Sequence, residues 1–146
     1  MIRTAFNRVF LVACLLGFAF AASAPAPAQA ASKRIIVDLS DQRLYAYSGN
    51  ALVFSAPVNA RGTRAGSFRV QNKVALASSR VRGWRLPNWL GIYYVGRIQN
   101  GIHGPAITRG GGVTVSSLGC IVLRSSAAAA QLFRWAPVGT PVTVRR

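Results

Sequence analysis

Beyond residue 30 this 146-residue chain has one cysteine, Cys120, and one histidine, His103. That scarcity limits what can hold the fold together. A disulfide needs a second thiol and a structural metal needs several ligands, so one thiol and one imidazole argue against both. Stability must then come from a hydrophobic core, and residues 31–146 are enough for one such core and too few for two. The same scarcity bears on chemistry. Taken singly, Cys120 reads as a small buried hydrophobe and His103 as a core histidine. Taken together, in a chain whose start marks it for export, they read as a thiolate nucleophile with a histidine base.

Export is read from the first thirty residues. Arg3 and Arg8 give a positive start, Val9 to Ala22 carries no charge, and small residues lead to Ala28-Gln29-Ala30, the A-x-A pattern of a cleavage site. The apolar run is shorter than the roughly 20 residues of a membrane-spanning helix. Leu11-Val12-Ala13-Cys14 resembles a lipobox but falls too early in the run, so Cys14 is leader filler. The expected division is residues 1–30 as signal peptide and residues 31–146 as one domain, working in the periplasm or cell wall.

Charge on that domain is lopsided. Only Arg3 and Arg8 of the 18 Lys+Arg fall in the leader, and the acids are Asp38 and Asp41 alone. Such a field attracts anionic polymers over distances that salt screens. Nucleic acid is the usual partner of a basic domain, yet no recognition helix or aromatic-basic signature is present. An exported chain meets anionic cell-wall polymers instead, and these are the expected partners by charge, with part of the arginine content serving solubility. Nothing in the pattern sets an oligomeric state.

Ile35-Ile36-Val37 and Leu44-Tyr45-Ala46-Tyr47 are β-prone, and Ser48-Gly49-Asn50 is hairpin-turn chemistry before a returning strand from Ala51 to Val58. Gly66 to Val70 alternates like a half-buried strand. A turn-rich stretch, Gly83 to Asn88, leads to the strand Ile92-Tyr93-Tyr94-Val95. One segment reads as helix: Ser125 or Ser126 as N-cap, then Ala127 to Phe133, stopping before Pro137. Val142-Thr143-Val144 closes the chain as a strand. The expected fold class is mainly β, a single compact domain with one late α-helix.

Several of these segments together carry a family resemblance. Ile35 to Leu44 resembles the opening hairpin of the bacterial L,D-transpeptidase catalytic domain, the YkuD type. Thr63-Arg64-Ala65-Gly66-Ser67-Phe68 is similar to its Thr-Pro-Thr-Gly-x-Phe turn, with Arg64 where the family has proline. His103-Gly104 resembles the histidine motif, Ser117-Leu118-Gly119-Cys120-Ile121 the nucleophile motif, and Pro137 to Val142 the closing turn and strand. The matches run in order from about Arg34 to Val144. The resemblance implies a mixed β-sheet or sandwich carrying a cysteine acyl-transfer site.

What the resemblance implies has a chemical rationale. A thiol with a pKa near 8.5 needs a base or cation beside it to act at neutral pH. His103 takes the proton, or stands as imidazolium beside the thiolate, and then protonates the leaving amine. On the imidazolium reading, alkylation of Cys120 stays appreciable below the free-thiol pKa. By family implication a backbone carbonyl near Gly104 holds the imidazole. Gly119 permits a tight turn that aims its own amide and that of Cys120 at the oxyanion. Ser117 and Leu118 are expected to contact substrate.

Two positions depart from the family. Leu118 stands where a second histidine is common, and Val122 where the family has arginine two residues after the cysteine. Arg124 or Arg109 is expected to replace that cation and contact the donor, and Val122→Arg to restore it. Gly110-Gly111-Gly112 makes a flexible connector between base and nucleophile. Trp84, Trp89, Tyr93 and Tyr94 are divided between core and the wall of a peptide groove, and Arg80, Arg82 and Arg85 form a cluster for anionic wall material.

The resemblance implies an exported cysteine L,D-transpeptidase using peptidoglycan stem peptides as donor and acceptor. Cys120 attacks the carbonyl before a terminal D-alanine, D-alanine leaves, and an amine of a second stem resolves the thioester. Carbapenems acylate the same cysteine in this family. Neither a ligand cluster nor a cofactor fingerprint is present, so no metal and no organic cofactor are implied. The alternatives are an L,D-carboxypeptidase, with water as acceptor, and a non-catalytic basic wall-binding module.

Overall fold

A computed structural model describes residues 32–146, so the expected signal peptide lies outside the described residues. Period-2 patterning builds the first half of the sheet. β1 (Lys33–Asp38) buries Ile35 and Val37, β2 (Arg43–Ser48) buries Leu44 and Ala46, and β3 (Ala51–Asn59) buries Ala56 and Val58. Asp38 closes the first turn by accepting the amides of Ser40 and Asp41 at 3.0 and 3.1 Å. In the second hairpin Ser48 pairs with Ala51 and Gly49 takes φ +58. Two-residue hairpin turns need a positive φ there, which glycine adopts without strain.

The middle of the chain folds as β4 (Gly66–Arg69), β5 (Asn72–Ser78), β6 (Arg85–Val95) and β7 (Ile98–His103). Two short strands, β8 (Ala106–Ile107) and β9 (Val113–Thr114), follow, and β10 (Ile121–Leu123) comes directly after Cys120. After the helix, β11 (Pro141–Arg145) returns to lie parallel to β1, with Ile35 opposite Val142. The strand order is β4-β11-β1-β2-β3-β10-β7-β6-β8-β9, with β5 added to β6. β3 joins the two halves, pairing with β2 along one edge and with β10 along the other. The sheet is mixed, because β10 also runs parallel to β7.

Helix α1 (Ser126–Trp135) is the one helix among the described residues. Ser125 caps it, its hydroxyl accepting the Ala128 amide at 3.3 Å. Its far end is closed by both lysines of the chain: Lys33 Nζ donates to the Trp135 carbonyl and Lys73 Nζ to that of Phe133, each ammonium also lying over the ring of the same residue. Cations at a helix C-terminus complement its dipole and its unpaired carbonyls. Ala129 and Leu132 face inward. A Cβ added to Gly104 would lie 3.0 Å from Ala129 Cβ, so the helix rests directly on the histidine motif.

Three local expectations change. The turn forecast for Gly83–Asn88 is confined to the segment before Arg85, where the Gly83 amide bonds the Ser79 carbonyl and the Ser79 amide that of Trp84. Pro87 and Asn88 lie inside β6, which absorbs them with Asn88 at φ +57. β4 is an edge strand with only Phe68 partly buried, stacked 4.7 Å from Tyr93. The triglycine segment is the tip of the β8–β9 hairpin, where Ile107 pairs with Val113 and the Thr108 amide bonds the Gly112 carbonyl.

Candidate active site

The parallel pairing of β7 and β10 brings the two reactive residues together. Ile102 faces Ile121 and His103 faces Val122 across the ladder. Cys120 directly precedes β10, in the bend it shares with Leu118 and Gly119. His103 and Cys120 both line a cavity of about 470 Å³ that is walled by β5, β6 and the turn between them.

His103 is 3 % exposed, and its Nδ1 lies 2.6 Å from the Gly104 carbonyl. A carbonyl only accepts, so Nδ1 carries the proton and Nε2 is left as the basic nitrogen. Trp89 stacks on the ring at 5.8 Å and is held in turn by Nε1 donating to Asn72 Oδ1 at 3.2 Å. Burial holds the His103 pKa below its usual value, a shift the Gly104 carbonyl only partly offsets. Burial also pushes the Cys120 thiol up, with hydrogen bonding to the Gly101 backbone opposing it. Each shift favours the neutral form.

Both directions favour the expected alternative in which His103 takes the proton during attack over the one in which an imidazolium stands beside a thiolate. Iodoacetamide should alkylate Cys120 more slowly at pH 7 than it alkylates a free cysteine, rising only above the ordinary thiol pKa of about 8.5. Acylation, in which His103 takes the proton during attack, should stay active somewhat below pH 6.5, because a lowered pKa keeps the imidazole neutral there. A plateau of fast alkylation at neutral pH, abolished in His103→Ala, would restore the ion pair.

The loop carrying Cys120 is fastened by Thr63 and Asn59, which sequence reasoning did not single out for the site, and by Tyr93, which it divided between core and groove wall. Thr63 Oγ1 donates to the Cys120 carbonyl at 2.9 Å, Tyr93 OH to the Gly119 carbonyl at 2.8 Å, and Asn59 Nδ2 to that of Val115 at 2.9 Å. Thr63 opens the Thr-Arg-Ala-Gly-Ser-Phe segment, so its motif was visible although its role was not. Asn100, 7 % exposed, places Oδ1 3.6 Å from Cys120 Sγ, accepting from the thiol. No pattern in the sequence marks it.

Other expected site residues fall into different places. Leu118 is exposed and lines the cavity, whereas Ser117 does not line it. The Ser117 hydroxyl instead ties the loop, 2.6 Å from the Cys120 carbonyl and 3.0 Å from that of Arg61. It also accepts the Gly119 amide at 3.2 Å, so that amide is already engaged rather than free for an oxyanion. Of the expected pair of amides, the one of Cys120 remains as the candidate. Gly119 itself sits at φ +115 with Asn100 3.0 Å from where a Cβ would lie, a place only glycine fits.

Neither substitute arginine reaches the cavity. Arg124 lies along β3, its Nε 3.4 Å from the Val58 carbonyl, and Arg109 packs its guanidinium against Gly83. The cations that do line it are Arg80, Arg82 and Arg97, with Arg82 lying 4.6 Å over Trp84, and no acid lines it. Of the four aromatics, Trp89 and Tyr93 are buried, and Trp84, Trp89 and Tyr94 contribute to the wall. Among the described residues no three of His, Cys, Asp and Glu gather as a metal site.

A mixed sheet with one late helix, and a thiol and an imidazole sharing one cavity, define the class to which comparison then gives a name. Residues 32–144 match the L,D-transpeptidase catalytic domain, YkuD, and the chain belongs to that family. No curated protein matches. Among solved structures it is similar to an L,D-transpeptidase from Stackebrandtia nassauensis, at 22% identity and TM-score 0.65, covering 86% of this chain and 62% of that one. The Mycobacterium smegmatis L,D-transpeptidase gives 20% and 0.63 with 80% and 59% covered, and the Enterococcus faecium enzyme 23% and 0.61 with 78% and 50% covered. This chain therefore spans less than two thirds of each of these structures, and the likeness to them is one of fold.

Proposed function

We propose that the chain is an exported cysteine L,D-transpeptidase that acylates Cys120 with a peptidoglycan stem peptide. The observation that carries this reading is the shared cavity of Cys120 and a His103 whose Nδ1 is committed to the Gly104 carbonyl. His103 Nε2 removes the thiol proton as Sγ bonds to the scissile carbonyl carbon. The tetrahedral intermediate then collapses, and the imidazolium returns the proton to the departing amine of D-alanine. An amine of a second stem attacks the thioester, loses its proton to His103, and releases the thiol with a new amide formed. In the envelope the unbalanced positive surface also favours anionic wall polymers.

The experiment is mass spectrometry of the purified protein with a tetrapeptide muropeptide. An adduct on Cys120 with release of D-alanine, followed by a cross-linked dimer, supports transpeptidation. Tripeptide without dimer would make water the acceptor, and no adduct at all would leave a wall-binding module.

Arg80, Arg82 and Arg97 take over the donor-binding role first assigned to Arg124 and Arg109. A charge-assisted hydrogen bond is worth about 1.5–3 kcal/mol, and exposed arginines fall at the lower end. Arg97→Gln and Arg80→Gln are each expected to lower kcat/KM for a free-acid donor about tenfold at low salt, and Arg124→Gln to leave it unchanged. Equal loss in all three variants would reduce the effect to overall charge.

A further inference from the structure

Acyl transfer places negative charge on the former carbonyl oxygen, and donors set around that point commonly supply the largest single rate contribution. In this chain one of the two expected donors, the Gly119 amide, is bonded to Ser117. The carboxamide of Asn100 lies next to the gap. Asn100 is 7 % exposed, lines the cavity, and holds Oδ1 3.6 Å from Cys120 Sγ. Its Nδ2 takes no hydrogen bond among the described residues, while no fully buried side-chain polar atom there lacks a partner. Nδ2 therefore opens onto the cavity with two unspent N–H groups.

We propose that Asn100 is a catalytic residue that donates from Nδ2 to the oxyanion formed when Cys120 attacks an acyl carbonyl. This rests on the reading of Cys120 as an acyl-transfer nucleophile. In the resting site Oδ1 accepts a hydrogen bond from the thiol, which keeps its proton. As that proton passes to His103 and Sγ bonds to the carbonyl carbon, the carbonyl π pair moves onto oxygen, and Nδ2–H and the Cys120 amide hold the charge. Collapse returns the pair to the C=O bond and expels the leaving amine. The hydroxyls of Tyr93 and Thr63 are already spent on the loop carbonyls of Gly119 and Cys120, whereas Asn100 Nδ2 is not.

Two reactions of the same thiol separate this role from mere positioning. Iodoacetamide reacts at a saturated carbon and forms no oxyanion, whereas imipenem acylates through one. In Asn100→Ala and in Asn100→Leu, which keeps the side-chain volume, imipenem acylation is expected to slow about 10²–10³-fold. Iodoacetamide alkylation at the same pH should not slow, because losing the Oδ1 acceptor removes a contact that favours the neutral thiol. Loss of both reactions in both variants would make Asn100 a structural support and overturn the proposal, as would unchanged acylation. A wild-type protein that imipenem fails to acylate while iodoacetamide labels it would overturn the reading of Cys120, and the Asn100 role with it.

Discussion

Cys120→Ala is expected to fold like the wild type and to catalyse nothing. Cys120 packs at the border of a small cluster formed by Leu86, Trp89 and Ala106, and Ala fills all of its volume except one sulfur. The carbonyls of Cys120 and Gly119 keep their bonds to Thr63, Ser117 and Tyr93, because those use the backbone. The melting temperature should therefore move by a few degrees at most, about 1 kcal/mol. Donor turnover should drop by a factor on the order of 10⁶, the scale seen when a nucleophile is removed from a unit that works together. D-alanine release and the mass of the muropeptide-treated protein read this directly. Turnover persisting in Cys120→Ala with an unchanged melting curve would end the thiol mechanism.

Val122→Arg, a change that restores the family's residue, is expected to cost the fold rather than help the donor step. Val122 has no exposed surface and lies between Asn59 of β3 and His103 of β7. An arginine there would be desolvated without a partner. Asp38 is engaged with Arg145 at 3.4 Å, and Asp41, exposed beyond the end of β1, is the only other acid. An uncompensated buried charge costs several kcal/mol, against a total stability of about 5–15 kcal/mol for a domain of this kind. Soluble yield and thermal melting should collapse, while Val122→Ala should lose only about 2 kcal/mol. A Val122→Arg protein that melts like the wild type and releases D-alanine faster would show that the position opens toward the cavity.

The outer strands and the helix were legible because their residues obey simple periods. Ile35, Val37, Leu44 and Ala46 take every second place along β-branched and aromatic runs, and Ser125 caps an alanine-rich helix that stops before Pro137. β5 and β7 were not legible for the opposite reason. The strand that carries His103 reads Ile98-Gln99-Asn100-Gly101-Ile102-His103, and beside the core residue Ile102 it buries a glycine and the amide and imidazole that line the cavity. Apolar alternation signals burial against a core, and a strand that lines a polar cavity does not display it. β6 hid itself by taking Pro87 and Asn88 into a strand, where both normally announce a turn.

The candidate site divides along the same line. Cys120, His103 and the carbonyl of Gly104 could be placed from short motifs, since each motif contains its own chemistry. Ser117 was expected to contact substrate and its hydroxyl is found tying the loop, since a hydroxyl beside a cysteine looks the same in sequence in either place. Arg124 and Arg109 were chosen for nearness along the chain, whereas Arg80, Arg82 and Arg97 reach the cavity through the β5–β6 and β6–β7 turns. Asn100 depends on a pairing between β7 and the Cys120 loop that only the folded sheet creates.

Ala127-Ala128-Ala129-Ala130 looks interchangeable, four copies of the residue best suited to a helix. The contact of Ala129 with Gly104 breaks that equivalence. Gly104 gives its carbonyl to the imidazole and the space of its missing side chain to Ala129, so a methyl group on the helix packs against the residue that selects the histidine tautomer. Lengthening the side chain at 129 would press on Gly104 from a residue that does not itself line the cavity. Among the four alanines, 127 is exposed and 129 is buried against Gly104, so a segment that looks like filler carries one position tied to the surroundings of His103.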